Sequence, residues 1–272
     1  MNTSKKNLLV VALLYLAVYS VLFSSYLFKN GMPVGNDWGF PVFGYQFKNW
    51  LLESIYSWTD RQGDIFGGRI MFGVHIYSEL IAFFLQNIFK FDGEFYQKTL
   101  FLFSFLMGGF SSYLLFLKYK AERFTAFLGG IIFTLNPFTF NAILIGWNFA
   151  LTSIFSLPLL LLLFEKYLQT KKNEFLIFIG LVFGMVGFLE SQSIVHFSLF
   201  LFIYFLVANF HNKFDRHLLT QFIKTFGVIF AIVLALHLFW LLPLIIMPNS
   251  YVSSAVTGND VHRFALRFSY LN

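Results

Sequence analysis

Between Gly31 and Arg69 the chain reads GMPVGNDWGFPVFGYQFKNWLLESIYSWTDRQGDIFGGR, a polar interval between apolar runs that carries Asp37, Glu53, Asp60 and Asp64. Asp37 sits inside GNDWGFP, where Gly35, Gly39 and Pro41 impose turns and Trp38 and Phe40 supply apolar anchors. A carboxylate fixed on such a turn can serve as a general base, a metal ligand or a cation binder. It can equally be a solvated loop residue that caps a turn. Arg61 and Arg69 have the planar guanidinium that grips two phosphate oxygens, or they simply pair with Asp60 and Asp64.

Other chemistries are narrowed by what the chain lacks. It has no cysteine, which removes disulfides, thiolate catalysis and Cys-bound zinc. Its histidines, at 75, 196, 211, 217, 237 and 262, show no HExxH or comparable ligand spacing. No metal motif and no cofactor is therefore assigned, although the acids of the first loop are compatible with a divalent cation.

The elements that must hold these residues are membrane helices. The chain has 272 residues, of which 58% are hydrophobic and only 12% charged, and its mean hydropathy is +0.70. A soluble domain of that size needs far more polar surface. Several apolar runs approach the ~20 residues that cross a ~30 Å hydrocarbon core, and period-two alternation is absent, which argues against a barrel. The net charge of +6 reflects Lys and Arg on the cytoplasmic side, so no nucleic-acid partner is expected.

Taken in order, Leu8 to Phe28 is the first span, an uncleaved signal anchor with Lys5 and Lys6 before it. Its N-terminus is expected in the cytoplasm and the loop 29–97 outside. Within that loop Phe47, Trp50, Leu51, Ile55 and Trp58 recur on one helical face, opposite Gln46, Asn49, Glu53 and Ser57, which predicts an interfacial helix. Met71 to Phe91 carries a polar stripe of His75, Glu79, Gln86 and Lys90. Three basic loops, around Lys118 to Arg123, Lys166 to Lys172 and Lys213 to Arg216, belong inside only if Met71 to Phe91 does not cross. It is therefore expected as a second interfacial or re-entrant helix.

Further spans are expected at 98–116, 124–140, 148–164, 174–189, 194–210 and 220–247, with outer turns at 141–148 and 190–193. The predicted fold is an all-α integral membrane protein with about seven transmembrane helices and two interfacial helices. It forms a single module over 1–247, followed by an outward tail over 248–272. Asn136-Pro137 interrupts one span. Gly108, Gly109, Gly129, Gly130, Gly180 and Gly184 suit close helix contact. Lys224 is near enough to the cytoplasmic end to snorkel, and His237 is expected to face the interior or a pocket.

This order of parts resembles a known class. One span, a long outer loop with an early Asp, two interfacial helices, the helix pair around LKYKAERFTAFLGGIIFTLNPFTFN and a span ending LLLLLFEKYL look like the N-terminal module of polytopic GT-C class glycosyltransferases. GNDWGFP is similar to the GDWGFP-type loop of prokaryotic membrane proteins related to arabinofuranosyltransferases, with Asn36 intervening between Gly35 and Asp37. The resemblance runs from Leu8 to about Met247. It implies an inverting transferase that takes sugar from a polyprenyl-phosphate carrier at the outer face of the plasma membrane, with Asp37 in the place of the catalytic acid or base and Asp60 and Asp64 as candidates for a supporting role. Two departures are plain: the turn 141–148 has no acid, and members of the class continue with further helices and often an outer domain. The sequence is thus expected to be a fragment, an inactive relative, or one part of a split protein whose partner supplies the missing C-terminal helices.

The expected function is transfer of a sugar from a lipid-phosphate donor to an acceptor, with membrane lipid and the lipid-linked sugar as partners. The competing reading is non-enzymatic: an envelope-assembly scaffold, a lipid flippase or a transporter. An ion-coupled transporter should carry ionisable groups near the midplane of several helices, whereas here the acids gather at one interface.

Overall fold

The computed structural model describes residues 5–31, 43–55, 76–145, 148–189, 192–208 and 216–246. Within them the chain is helical throughout, with no strand. The helices are α1 (Lys5–Leu22), α2 (Ser24–Leu27), α3 (Gln46–Ile55), α4 (Ile76–Phe89), α5 (Gly93–Lys118), α6 (Arg123–Thr134), α7 (Pro137–Ile145), α8 (Asn148–Phe155), α9 (Leu157–Thr170), α10 (Asn173–Leu189), α11 (Gln192–Ala208) and α12 (Arg216–Ile246).

Among the described residues four stretches are long and apolar enough to cross a bilayer: Gly93–Lys118, Arg123–Leu144, Ala150–Thr170 and Thr220–Leu238. Shorter apolar helices cover Lys6–Leu22, Glu79–Phe89, Asn173–Val186 and Ser193–Val207. Leu13, Val21, Phe103, Ile132, Leu144, Val195 and Leu234 all point outward from the bundle. An apolar exterior of this kind on helices whose backbones bond internally is what hydrocarbon requires and water penalises. The chain is a membrane protein, helical throughout its described residues.

Its centre is α5, which packs on α1, α6, α8 and α9. One apolar core gathers Tyr15, Tyr19, Phe101, Phe105, Leu151 and Phe155 around α5. A second gathers Leu160, Phe164, Phe183, Leu201, Phe205 and Ile229 from α9 to α12. Glycines set the spacing. A Cβ on Gly130 would stand 2.1 Å from the Tyr15 hydroxyl and 2.4 Å from the Gly109 carbonyl oxygen, so α5 and α6 touch backbone to backbone. At Gly180 and Gly184 the neighbours are Ile232 and Leu236 of α12. The packing role read from these glycines holds, and His237 is buried as expected, donating from Nε2 to the Gly184 carbonyl at 3.2 Å.

Two spans are broken rather than continuous. Leu135 ends α6 and Asn136 caps α7: the Asn136 Oδ1 accepts from the Thr139 N–H at 3.1 Å, and Pro137 opens the new helix where its missing N–H costs nothing. Residues 141–145, expected in an outer turn, therefore continue the helix. The expected span 148–164 likewise divides at Ser156, because Pro158 cannot donate to the preceding turn.

The two helices expected at the interface, α3 and α4, pack together. On α3, Phe47 and Leu51 are buried and Asn49 is exposed, as the periodicity predicts. At 14 residues α4 extends about 21 Å, short of a hydrocarbon core. Of its polar stripe, Glu79 is buried, Gln86 is half-buried and Lys90 is exposed, alongside exposed Ile81, Phe84, Ile88 and Phe89.

Candidate functional site

The first turn of α5 is where the chain fixes its polar end. Asp92 caps the helix, its Oδ1 accepting from the Phe95 N–H at 2.9 Å. Glu94, in the first turn, suits the positive end of the helix dipole. One Glu94 oxygen accepts from the Gly31 N–H at 3.0 Å and the other from Lys98 Nζ at 2.5 Å. Lys98 also donates to the Lys29 carbonyl at 2.5 Å. The end of the segment after α2 is thereby tied to α5.

The chain returns at Phe43, whose N–H donates to Gln46 Oε1 at 3.1 Å and opens α3. Phe47 then seats edge-on against Tyr96 and Phe91, at 5.7 and 5.8 Å between ring centres. Ala82 of α4 completes this small core. Both flanks of segment 32–42 thus rest on the same turn of α5.

Asp37 lies in that segment, and Asp60, Arg61, Asp64 and Arg69 lie in 56–75; all of them fall outside the described residues. So does the tail 248–272. Among the described residues no group of three His, Asp or Glu side chains stands close enough to hold a metal ion.

Two buried polar groups lie beneath this end: Glu79, read from sequence as part of a polar stripe, and Gln97, which escaped a reading that began the span at Lys98. Glu79 of α4 is 1% exposed and stands close enough to Tyr96 for its charge to act on the phenol. Gln97 of α5 is also 1% exposed, and neither atom of its amide has a hydrogen-bond partner. The signal was present: Gln97, Ser104 and Ser111 recur at seven-residue spacing, two helical turns apart, along an otherwise apolar helix. Ser104 continues that line by bonding the Thr152 hydroxyl of α8 at 2.6 Å, and Ser153 bonds Ser193 of α11 at 2.5 Å.

A second cluster occupies the far end of α5. Glu165 of α9 pairs with Lys118 and accepts from the hydroxyls of Tyr119 and Tyr204, which stand 3.0 Å apart. Burial and the neighbouring carboxylate raise the Tyr119 pKa above its ordinary value, so the phenol stays a donor. With its oxygens so engaged, Glu165 joins α5, α9 and α11, a structural role. Its signal was a lone acid closing the run LLLLLFEKYL.

One family model matches the chain: the 6-pyruvoyl-tetrahydropterin synthase related domain, described as a membrane protein, over residues 77–262. That match takes in α5 to α12 and nearly all of α4, and begins after the Asp37 loop. No curated protein matches the chain. No solved structure matches it either.

Proposed function

We propose that this chain, which belongs to the 6-pyruvoyl-tetrahydropterin synthase related family of membrane proteins, is a glycosyltransferase-type protein of GT-C architecture. It transfers a sugar from a polyprenyl-phosphate donor to an acceptor hydroxyl at the outer membrane face, with inversion. Asp37 is the general base that takes the acceptor's proton, and Arg61 and Arg69 steady the departing phosphate. Asp60 and Asp64 orient the loop. In this reading α1, α10 and α11 also cross while α4 does not, giving seven spans, and the N-terminus is cytoplasmic.

The observation that supports it is the double tether of segment 32–42. Gly31 is held by Glu94 and Phe47 by Tyr96, two turn-mates on α5. A base must be presented at a fixed place, because misplacement by an ångström weakens catalysis severely. Both flanks, at Gly31 and Phe47, meet the first turn of α5, which supports that reading.

The experiment is transfer of labelled sugar from a polyprenyl-phosphate donor by membranes containing the full chain and any protein that copurifies with it. Labelled product that depends on the chain supports the reading. No product with the copurifying partner present returns the chain to the scaffold class.

A further inference from the structure

Tyr167 of α9 shares a hydrogen bond with Thr225 of α12 at 3.2 Å, and Phe164 meets Phe226 at 6.2 Å between ring centres. Numbering falls along α9 as it rises along α12, so the two helices run antiparallel. One turn beyond Tyr167 stands Lys171, the exposed C-cap of α9, whose Nζ lies 5.8 Å from the Tyr167 ring centre. One turn before Thr225, on the same face of α12, stands Gln221, half-buried. Lys171 and Gln221 therefore share the layer after the Tyr167–Thr225 pair, at the end of the bundle that holds Lys118 and Glu165.

This layer offers donors that the protein leaves unused. Gln221 Nε2 is buried and has no hydrogen-bond partner. Lys171 makes no ion pair among the described residues, and neither do Lys120, Arg123, Lys166 and Lys224, all exposed at the same end. The acids there are mostly engaged, Glu165 by Lys118 and Glu174 by Lys172, which leaves Glu122 alone against those cations. Beside the cations the surface turns apolar, with Phe116, Phe124 and Ile223 exposed. We propose that the mouth between α9 and α12, with Lys171 and Gln221 in it and Lys166 and Lys224 flanking it, binds the head group of an anionic membrane lipid.

The donor inventory and the surroundings select that partner together. A phosphate oxygen only accepts, so it satisfies an ammonium and an amide N–H at once. Each lysine near an anionic membrane surface adds attraction, and basic mouths between spanning helices suit lipid head groups. Exposed Ile223 and Phe124 call for acyl chains beside the charge, which a free anion or an acidic protein does not bring. The assignment is independent of the transferase reading. In the orientation proposed above, this end faces the cytoplasmic leaflet, whose surface is the anionic one.

The test uses the full chain in detergent, with thermal unfolding as readout and phosphatidylglycerol, phosphatidylcholine and inorganic phosphate as probes. Phosphatidylglycerol should raise the unfolding temperature, and the other two should not. The double variant Lys171→Gln, Lys224→Gln should bind phosphatidylglycerol at least about tenfold more weakly. Lys48→Gln with Lys90→Gln, exposed lysines at the opposite end, should bind it as the parent does. Equal stabilisation by phosphatidylcholine overturns the proposal, because the cations then select nothing. Equal stabilisation by inorganic phosphate also overturns it, by showing a free-anion site. Undiminished binding in the first double variant, or equal loss in the second, is as damaging. Should the first variant fail to insert, Gln221→Leu removes the amide donor alone and should weaken phosphatidylglycerol binding severalfold, and Lys171→Arg keeps the charge and should bind as the parent does. Parental binding by Gln221→Leu, or loss in Lys171→Arg, overturns the site.

Discussion

Gly31 donates its backbone N–H to the Glu94 carboxylate at 3.0 Å, across 63 residues of chain. The loop that contains Asp37 therefore departs from a fixed point on α5. Glu94→Ala should lower kcat about 10- to 100-fold by loosening that departure, while membrane insertion is kept. Glu94→Gln keeps an oxygen acceptor and should retain most activity. Equal loss in both variants would show that the charge matters and the tether does not.

The glycine contacts make a graded prediction about stability. Gly130→Ala forces a methyl against the Gly109 carbonyl, a backbone atom that cannot swing away, and should cost at least about 2–3 kcal/mol. Gly184→Ala meets the Cδ1 end of Leu236 at 2.4 Å, a flexible group, and should cost less than about 1 kcal/mol. Thermal unfolding in detergent orders the two. The reverse order would contradict the backbone contact between α5 and α6.

At the far end of α5, Lys118→Met should destabilise more than Glu165→Met. Losing the lysine leaves a buried carboxylate without its cation, at about 2–3 kcal/mol after allowing for the partial exposure of Lys118. Losing the carboxylate leaves a lysine that can reach water and two tyrosines that bond each other. The double variant should recover part of the lysine's loss. Additive losses would show that the pair is not coupled.

Much of this fold was legible because hydrocarbon imposes a simple rule of length and polarity. The runs at 98–116 and 220–247 read as helices from composition alone, and the face of α3 with Phe47 and Leu51 read from its period. The breaks at Asn136 and Ser156 were harder. Proline signals an interruption but not whether the helix resumes at once, which here depends on the Asn136 cap. The burial of Glu79 on α4 was also hidden, since a polar stripe on a short apolar helix fits either water or a bundle interior. Glu165, Lys118, Tyr119 and Tyr204 come together from three helices, and such pairings across the bundle leave no local pattern.

Because the chain contains no cysteine, single introduced cysteines report its orientation directly. Cysteines at Ser57 and Ser191 should react with an impermeant thiol reagent in intact cells, and one at Asn173 should not. Labelling at Asn173 would invert the topology. Shielding of a cysteine at Gly93 while Ser57 reacts would mean that the segment containing α4 crosses the membrane.

The central claim is that Asp37 takes the acceptor's proton, and Asp37→Asn tests it most directly. The asparagine is close in size and polar, so insertion and thermal stability should match the parent. Transfer from a polyprenyl-phosphate sugar, measured in membranes with any copurifying partner present, should fall about 10²–10⁴-fold, because an amide cannot accept the proton. Asp60→Asn and Asp64→Asn, made alongside, should cost less. Undiminished transfer by Asp37→Asn would contradict the claim and return GNDWGFP to a structural turn.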